Sequence, residues 1–202
     1  MEGSSFRAQA FRRYAKEGLF LQSGRSVVMI LGTVLAGGKS SRFGSDKALA
    51  QYNGHTLITL AVDAMAERCE HVIVVGRETA PAPALPDWPR PGMGPLGGLA
   101  AALRYALGHG YETVLTCSVD AAFLPGDLLA LLSPAPACLA AQPVIGLWPA
   151  AAAHALEQLL HSDERHSMLR FAEMINARRV ETSAAVANIN TPDDLAALSD
   201  RQ

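Results

Sequence analysis

The sequence predicts a three-layer α/β fold, a mostly parallel sheet with helices on both faces. Three observations predict it. Short apolar runs rich in β-branched residues occur at Val27–Leu35, His71–Val75 and Thr113–Cys117, the composition of strands buried on both faces. Stretches with leucine and alanine at helical spacing separate them, and alternation of this kind belongs to α/β folds. The runs end at Ala36, Gly76 and Asp120. In such a sheet these tips share one crevice beyond the carboxyl ends of the strands.

The elements follow in order. Tyr52-Asn53-Gly54-His55 is a turn signal. Leu57, Leu60, Ala61, Ala64 and Met65 then fall on one helical face, which with the next strand makes a strand–helix–strand unit with a right-handed crossover. Residues 80–94 hold five of the twelve prolines and read as an ordered loop without an element. Pro95 suits a first helical turn, where its missing N–H costs nothing, and Leu96–Leu107 continues the helix. Past the third strand, Pro125 opens a short helix over Gly126–Leu132. Leu139–Ala141 and Val144–Leu147 are weaker strands, residues 150–161 and 165–176 are helical, and Arg179–Thr182 is extended. The last strand is Val186–Ile189. A helix follows it, with Thr191 as N-cap, Pro192 at the first position and an acid two residues later.

At 202 residues the chain has the length of one domain. Half of its residues are hydrophobic, enough for a sizeable core. A net charge of −2 argues against nucleic acid as a partner, and no apolar run reaches the roughly 18 residues of a membrane span. Cys69, Cys117 and Cys138 lack metal-site spacing, and the default setting is a reducing cytoplasm. Residues 1–26 differ in character. Arg7, Arg12, Arg13, Lys16 and Arg25 outnumber Glu2 and Glu17, no secretory core is present, and Met29 stands directly before the first strand. The segment reads as an extension outside a single domain at 27–202.

The stretch after the first strand, from Gly37-Gly38 to Lys47, concentrates chemistry. Glycines let a ligand approach the backbone closely. Exposed N–H groups with Lys39, Arg42 and Lys47 nearby suit a polyphosphate, whereas the plain alternative is a turn with scattered surface charge. A P-loop is excluded because Gly44 is followed by Ser45 and Asp46 before Lys47. Gly92-Met93-Gly94-Pro95-Leu96-Gly97 matches a dinucleotide fingerprint formally, yet it follows a proline-rich loop where the motif requires a strand. Asp120 ends an apolar strand. Its carboxylate suits Mg²⁺, which takes one or two carboxylates plus phosphate oxygens and water; a turn or cap aspartate is the structural alternative.

Leu35-Ala36-Gly37-Gly38, Ser40, Arg42, Gly44, Asp46 and Lys47 stand in register with L-A-G-G-x-S-x-R-(M/F)-G-x-D-K, and on these residues the chain resembles the MobA-like nucleotidyltransferases. Gly94-Pro95-Leu96 with Gly98 is similar to the family's G-P-L-x-G segment. Phe123 and Pro125 are similar to its F-x-P turn, although Ala122 replaces a common proline. Asn188, Asn190, Thr191, Pro192, Asp194 and Leu195 match N-x-N-T-P-x-(D/E)-L. The resemblance covers about residues 29–198. It implies a Rossmann-like domain of the nucleotide-diphospho-sugar transferase type. It implies nucleotide contacts at Leu35, Ala36, Gly37, Gly38, Lys47, Asp87, Gly94 and Asp120, with Mg²⁺ on Asp120, and second-substrate contacts at Asn188 and Asn190. Residues 132–147 are shorter than in relatives, and Gln142-Pro143-Val144 replaces a frequent His-Pro-x.

The activity so implied is Mg²⁺-dependent transfer of GMP from GTP to the phosphate of molybdopterin, with pyrophosphate released, and with transient contact to cofactor-synthesis or acceptor molybdoenzyme proteins. Leu-Ala-Gly-Gly in place of Leu-Ala-Ala-Gly favours GTP over CTP. Arg42, Lys47 and Asp120 carry the catalytic expectation. A cytidylyl- or sugar-phosphate nucleotidyltransferase is the alternative within the class, and a non-catalytic nucleotide-binding module the alternative outside it.

Overall fold

The computed structural model describes residues 29–38, 46–121, 123–182, 189 and 194. The expected alternation is present as β1 (Ile30–Leu35), a hairpin of β2 (Gln51–Tyr52) and β3 (His55–Thr56), α1 (Leu57–Ala66), β4 (His71–Val75), β5 (Ala84–Leu85), α2 (Gly94–His109) and β6 (Thr113–Ser118). The second half adds α3 (Leu128–Leu132), β7 (Ala137–Leu139), β8 (Gly146–Pro149), α4 (Ala153–His161), α5 (Met168–Met174) and β9 (Arg178–Val180). Apart from the hairpin, the strands form one seven-stranded sheet in the order β5-β4-β1-β6-β8-β7-β9. β8 runs antiparallel to both of its neighbours and the other pairings are parallel. This is the three-layer, mostly parallel α/β architecture that the sequence predicts.

Side-chain alternation along the strands builds two cores. Leu31 and Leu35 of β1, with Ile73, Val75, Val114 and Trp148, pack under α2, α4 and α5. Val34, with Val72, Val74, Leu115 and Cys117, packs on the opposite face against α1 and α3. A buried tryptophan needs a partner for its indole N–H. Trp148 Nε1 donates to Thr116 Oγ1 at 2.9 Å, and that hydroxyl donates to Val144 O at 2.7 Å. One threonine thus satisfies the core indole and fixes the chain entering β8.

Three expectations need correction. The proline-rich stretch does contain a strand. Ala84–Leu85 pairs with Val74–Val75, and Val74 N–H donates to Pro83 O at 2.9 Å. β5 is an edge strand, so the Pro83 and Leu85 carbonyls accept from Val74 and Gly76 while the N–H that a flanking proline lacks is not needed on the outer side. The helix expected from Gly126 starts at Leu128. The weak strands lie at Ala137–Leu139 and Gly146–Pro149, displaced from Leu139–Ala141 and Val144–Leu147. Gln142 O accepts from Ile145 N–H at 2.9 Å, so Pro143 and Val144 form the turn between them. The hairpin turn is as expected: Asn53 and Gly54 both take positive φ, 49° and 79°, the geometry of a tight two-residue connection. The expected 1–26 extension and most of the strand at 186–189 lie outside the described residues.

Candidate active site

Strand register decides what meets in the crevice. Leu35, the last residue of β1, pairs with Val75 on one side and Ser118 on the other, and Val75 pairs with Leu85. Four adjacent strands therefore end at one level. The segments that leave them carry Gly37 and Gly38, Gly76 and Arg77, Asp120, and Asp87. A cavity of about 230 Å³ lies there, lined by Leu35, Ala36, Gly37, Gly38, Asp46, Lys47, Ala48, Val75, Asp87, Gly94, Pro95, Gly98, Ser118, Val119, Asp120 and Val144. All eight residues expected at the nucleotide are among them. Arg42, Asn188 and Asn190 lie outside the described residues.

Two glycines beside the crevice, Gly76 and Gly98, are spatial necessities. Gly76 has φ +90°, and a Cβ there would stand 2.6 Å from Gly37 Cα and 2.8 Å from Gly37 N. The β1 and β4 tips touch backbone to backbone. A Cβ on Gly98 would meet Leu35 Cδ2 at 2.6 Å, so its absence lets α2 press onto β1. α2 starts at the cavity with Met93 in the N-cap position, making no side-chain cap, and with proline in its first turn. Uncapped first-turn N–H groups and the positive end of the helix dipole thus lie beside the crevice, an arrangement that favours anions.

The polar groups are paired across the mouth. Lys47 begins a single 3₁₀ turn, Lys47–Leu49, and its side chain is 9% exposed. Its Nζ lies 2.7 Å from Asp120 Oδ1, and the Asp120 side chain is 36% exposed. Asp46 caps the turn by accepting from Ala48 N–H at 3.1 Å. Both oxygens of the same carboxylate accept from Arg77, at 2.9 Å from Nη1 and 2.5 Å from Nη2. The Arg77 fork holds the Asp46 carboxyl below its ordinary value, and Asp46 in turn raises the guanidinium. Asp87 Oδ2 accepts from Gly92 N–H at 3.2 Å, bracing the loop ahead of α2.

Sequence reasoning missed Arg77, Ser118 and Val144 as parts of the site. Arg77 had one readable signal, a basic residue directly after a strand that ends on glycine. Among the described residues no group of three or more His, Cys, Asp or Glu stands together as a ready metal cage.

Comparisons with known proteins bear on the family and the fold. The family model of the MobA-like NTP transferase domain matches residues 32–181. A molybdenum cofactor guanylyltransferase of Rhizobium leguminosarum bv. trifolii is 37% identical over 188 residues, 83% of this chain and 90% of its own. One of Rhodobacter capsulatus is 35% identical over 183 residues, covering 85% and 96%. The fold is shared with the crystal structure of molybdopterin-guanine dinucleotide biosynthesis protein A from Archaeoglobus fulgidus, at TM-score 0.68 and 21% identity over 85% of this chain and 100% of that one. The glycine-lined crevice where four strands end, with Lys47 facing Asp120 across it, lies within the matched residues of a chain that belongs to the MobA-like NTP transferases.

Proposed function

We propose that the protein transfers GMP from GTP to the phosphate of molybdopterin, forming the guanine dinucleotide cofactor and releasing pyrophosphate. The observation that carries this reading is the Lys47–Asp120 pair, 2.7 Å apart at the strand tips, beside the exposed backbone of Gly37 and Gly38. The names of the relatives supply the substrate class.

The chemistry asks little proton transfer of the protein. A phosphomonoester with a second pKa near 6 already attacks as an anion at neutral pH. Its oxygen bonds to the α-phosphorus of GTP as the α–β bridging bond breaks, and the electron pair leaves with pyrophosphate. The protein's work is alignment and charge stabilisation. Lys47 supplies a cation held almost out of water, where its field is least screened. Gly37 and Gly38 admit the nucleotide to the backbone. Asp87 and Gly94 border it on the α2 side. Arg42 is assigned to the departing pyrophosphate, and Asn188 and Asn190 to the pterin substrate.

Asp120 fits a Mg²⁺ ion that arrives with the triphosphate. Its carboxylate is partly exposed at the cavity with Oδ1 engaged by Lys47, and an ion that needs only one or two carboxylates beside phosphate oxygens requires no larger protein donor set. When bound, the ion supplies charge neutralisation on the phosphate oxygens. The three thiols are unbridged, in keeping with the reducing cytoplasm that we assign to the protein.

Calorimetry of GTP, CTP, ATP and UTP, each with and without Mg²⁺, tests the nucleotide half of this reading. The expected result is GTP preference that strengthens with Mg²⁺. A preference for CTP moves the protein to cytidylyl transfer, and no triphosphate binding at all removes the enzymatic reading.

A further inference from the structure

Arg77 does not belong to any segment on which the family resemblance rests, yet it sits at a junction of the site. It follows Gly76, whose backbone is pressed against Gly37, so its starting point is fixed by β4 and the glycine loop together. Its guanidinium grips both oxygens of Asp46, and a planar bidentate fork sets orientation as well as distance. Asp46 also accepts the Ala48 N–H that closes the turn starting at Lys47. A string of alternating charge therefore runs Arg77, Asp46, Lys47, Asp120. It leads from the tip of β4 to the tip of β6, and β1 lies between those strands in the sheet.

We propose that Arg77 is a positioning residue, which through Asp46 holds the turn that aims Lys47 at Asp120. The fork does two things for Lys47. It anchors the Asp46 carboxylate where it caps the turn, and it occupies a negative charge next in sequence to Lys47 that otherwise competes with Asp120 and the triphosphate for the ammonium. Lysine cannot replace arginine here, because a single ammonium does not engage both carboxylate oxygens in one plane. The inference rests on the transferase reading for its consequence in catalysis, and on geometry alone for the placement of Lys47.

The test uses the full chain and four variants: Arg77→Ala, Arg77→Lys, Asp46→Asn and Lys47→Ala, with Lys47→Ala/Arg77→Ala as the double. Thermal melts establish that each is folded, and Arg77→Lys and Asp46→Asn carry the test if Arg77→Ala does not fold. The first readout is independent of activity: mass spectrometry of Lys47 acylation by acetic anhydride. Lys47 is protected in the wild type and becomes several-fold more reactive in the Arg77 and Asp46 variants. The second is single-turnover GMP transfer alongside GTP affinity. Arg77→Ala lowers the rate about 10–100-fold, as misplacement of a catalytic group does, while GTP affinity changes little and Arg77→Lys recovers only part. In the Lys47→Ala background the same substitution leaves GTP affinity unchanged. Lys47 still protected in a folded Arg77 variant overturns the inference. So does a loss of GTP affinity on Arg77→Ala that is equal with and without Lys47, which makes Arg77 a direct ligand. Lost protection in a protein that transfers no nucleotide upholds the positioning and defeats the transferase reading instead.

Discussion

Lys47 and Asp120 are the residues on which the account stands. Their pair is only partly solvated, so removing one partner costs more than breaking an exposed ion pair and less than stranding a fully buried charge. Lys47→Ala and Asp120→Ala are each expected to destabilise the fold by about 1–2 kcal/mol and to abolish transfer. Urea unfolding and a pyrophosphate-release assay measure the two effects separately; a variant that keeps full activity takes its residue out of the mechanism. Asp46 makes a different prediction, in pH. Its carboxyl is held below its ordinary value of 3.8 by the Arg77 fork, so the native state binds its proton less readily than the unfolded chain. The stability difference between wild type and Asp46→Asn is therefore full above pH 3.8 and shrinks as pH falls below it, through the lowered native value. Denaturation at stepped acid pH checks the sign, and a difference that grows toward acid contradicts it. Cys117 is a counterexample to reading every polar residue near the site as chemical. Burial pushes its thiol up to about 12, which makes it a core residue rather than a nucleophile.

The strands were legible because their composition is what double-sided burial demands, and Leu57–Ala66 was legible because its apolar face repeats at helical spacing. β5 was not, because nothing in Ala84–Leu85 resembles a strand; its identity comes from pairing with Val74 and Val75. β7 likewise owes its position to β8 and β9 on its two sides. The glycine loop could be read as a candidate anion site from Gly37 and Gly38 together with Lys39, Arg42 and Lys47. The paired reason for Gly76, a neighbouring tip pressed against it, needed the register of β1 and β4. That contact predicts unequal costs for two simple substitutions. Gly76→Ala introduces a positive-φ side chain against Gly37 backbone and is expected to cost about 2–4 kcal/mol. A Cβ on Gly38 meets nothing within 4 Å, so Gly38→Ala is expected to stay within about 0.5 kcal/mol of wild type. Equal costs in denaturant unfolding contradict the packing described for the tips.

The molecule as a whole sets its site by topology. Four strands that end in register deliver four loops to one level, and an uncapped helix start completes the wall beside them. Much of this could be read from sequence, since Gly38, Lys47, Asp87, Gly94 and Asp120 all line the cavity. The pairing of Arg77 with Asp46 could not, because the two are far apart in sequence and the charges come together only once β4 lies beside β1. Val144 reaches the crevice through the turn before β8 and its carbonyl's bond to Thr116, which no local pattern signals. The measurement that goes furthest is a transfer reaction with molybdopterin, Mg²⁺ and either GTP or CTP, following dinucleotide and pyrophosphate together. Guanine dinucleotide and pyrophosphate are expected in equal amounts from GTP, and neither product from the Lys47→Ala or Asp120→Ala variants. GTP bound by the folded wild-type protein with no dinucleotide formed contradicts the transferase reading.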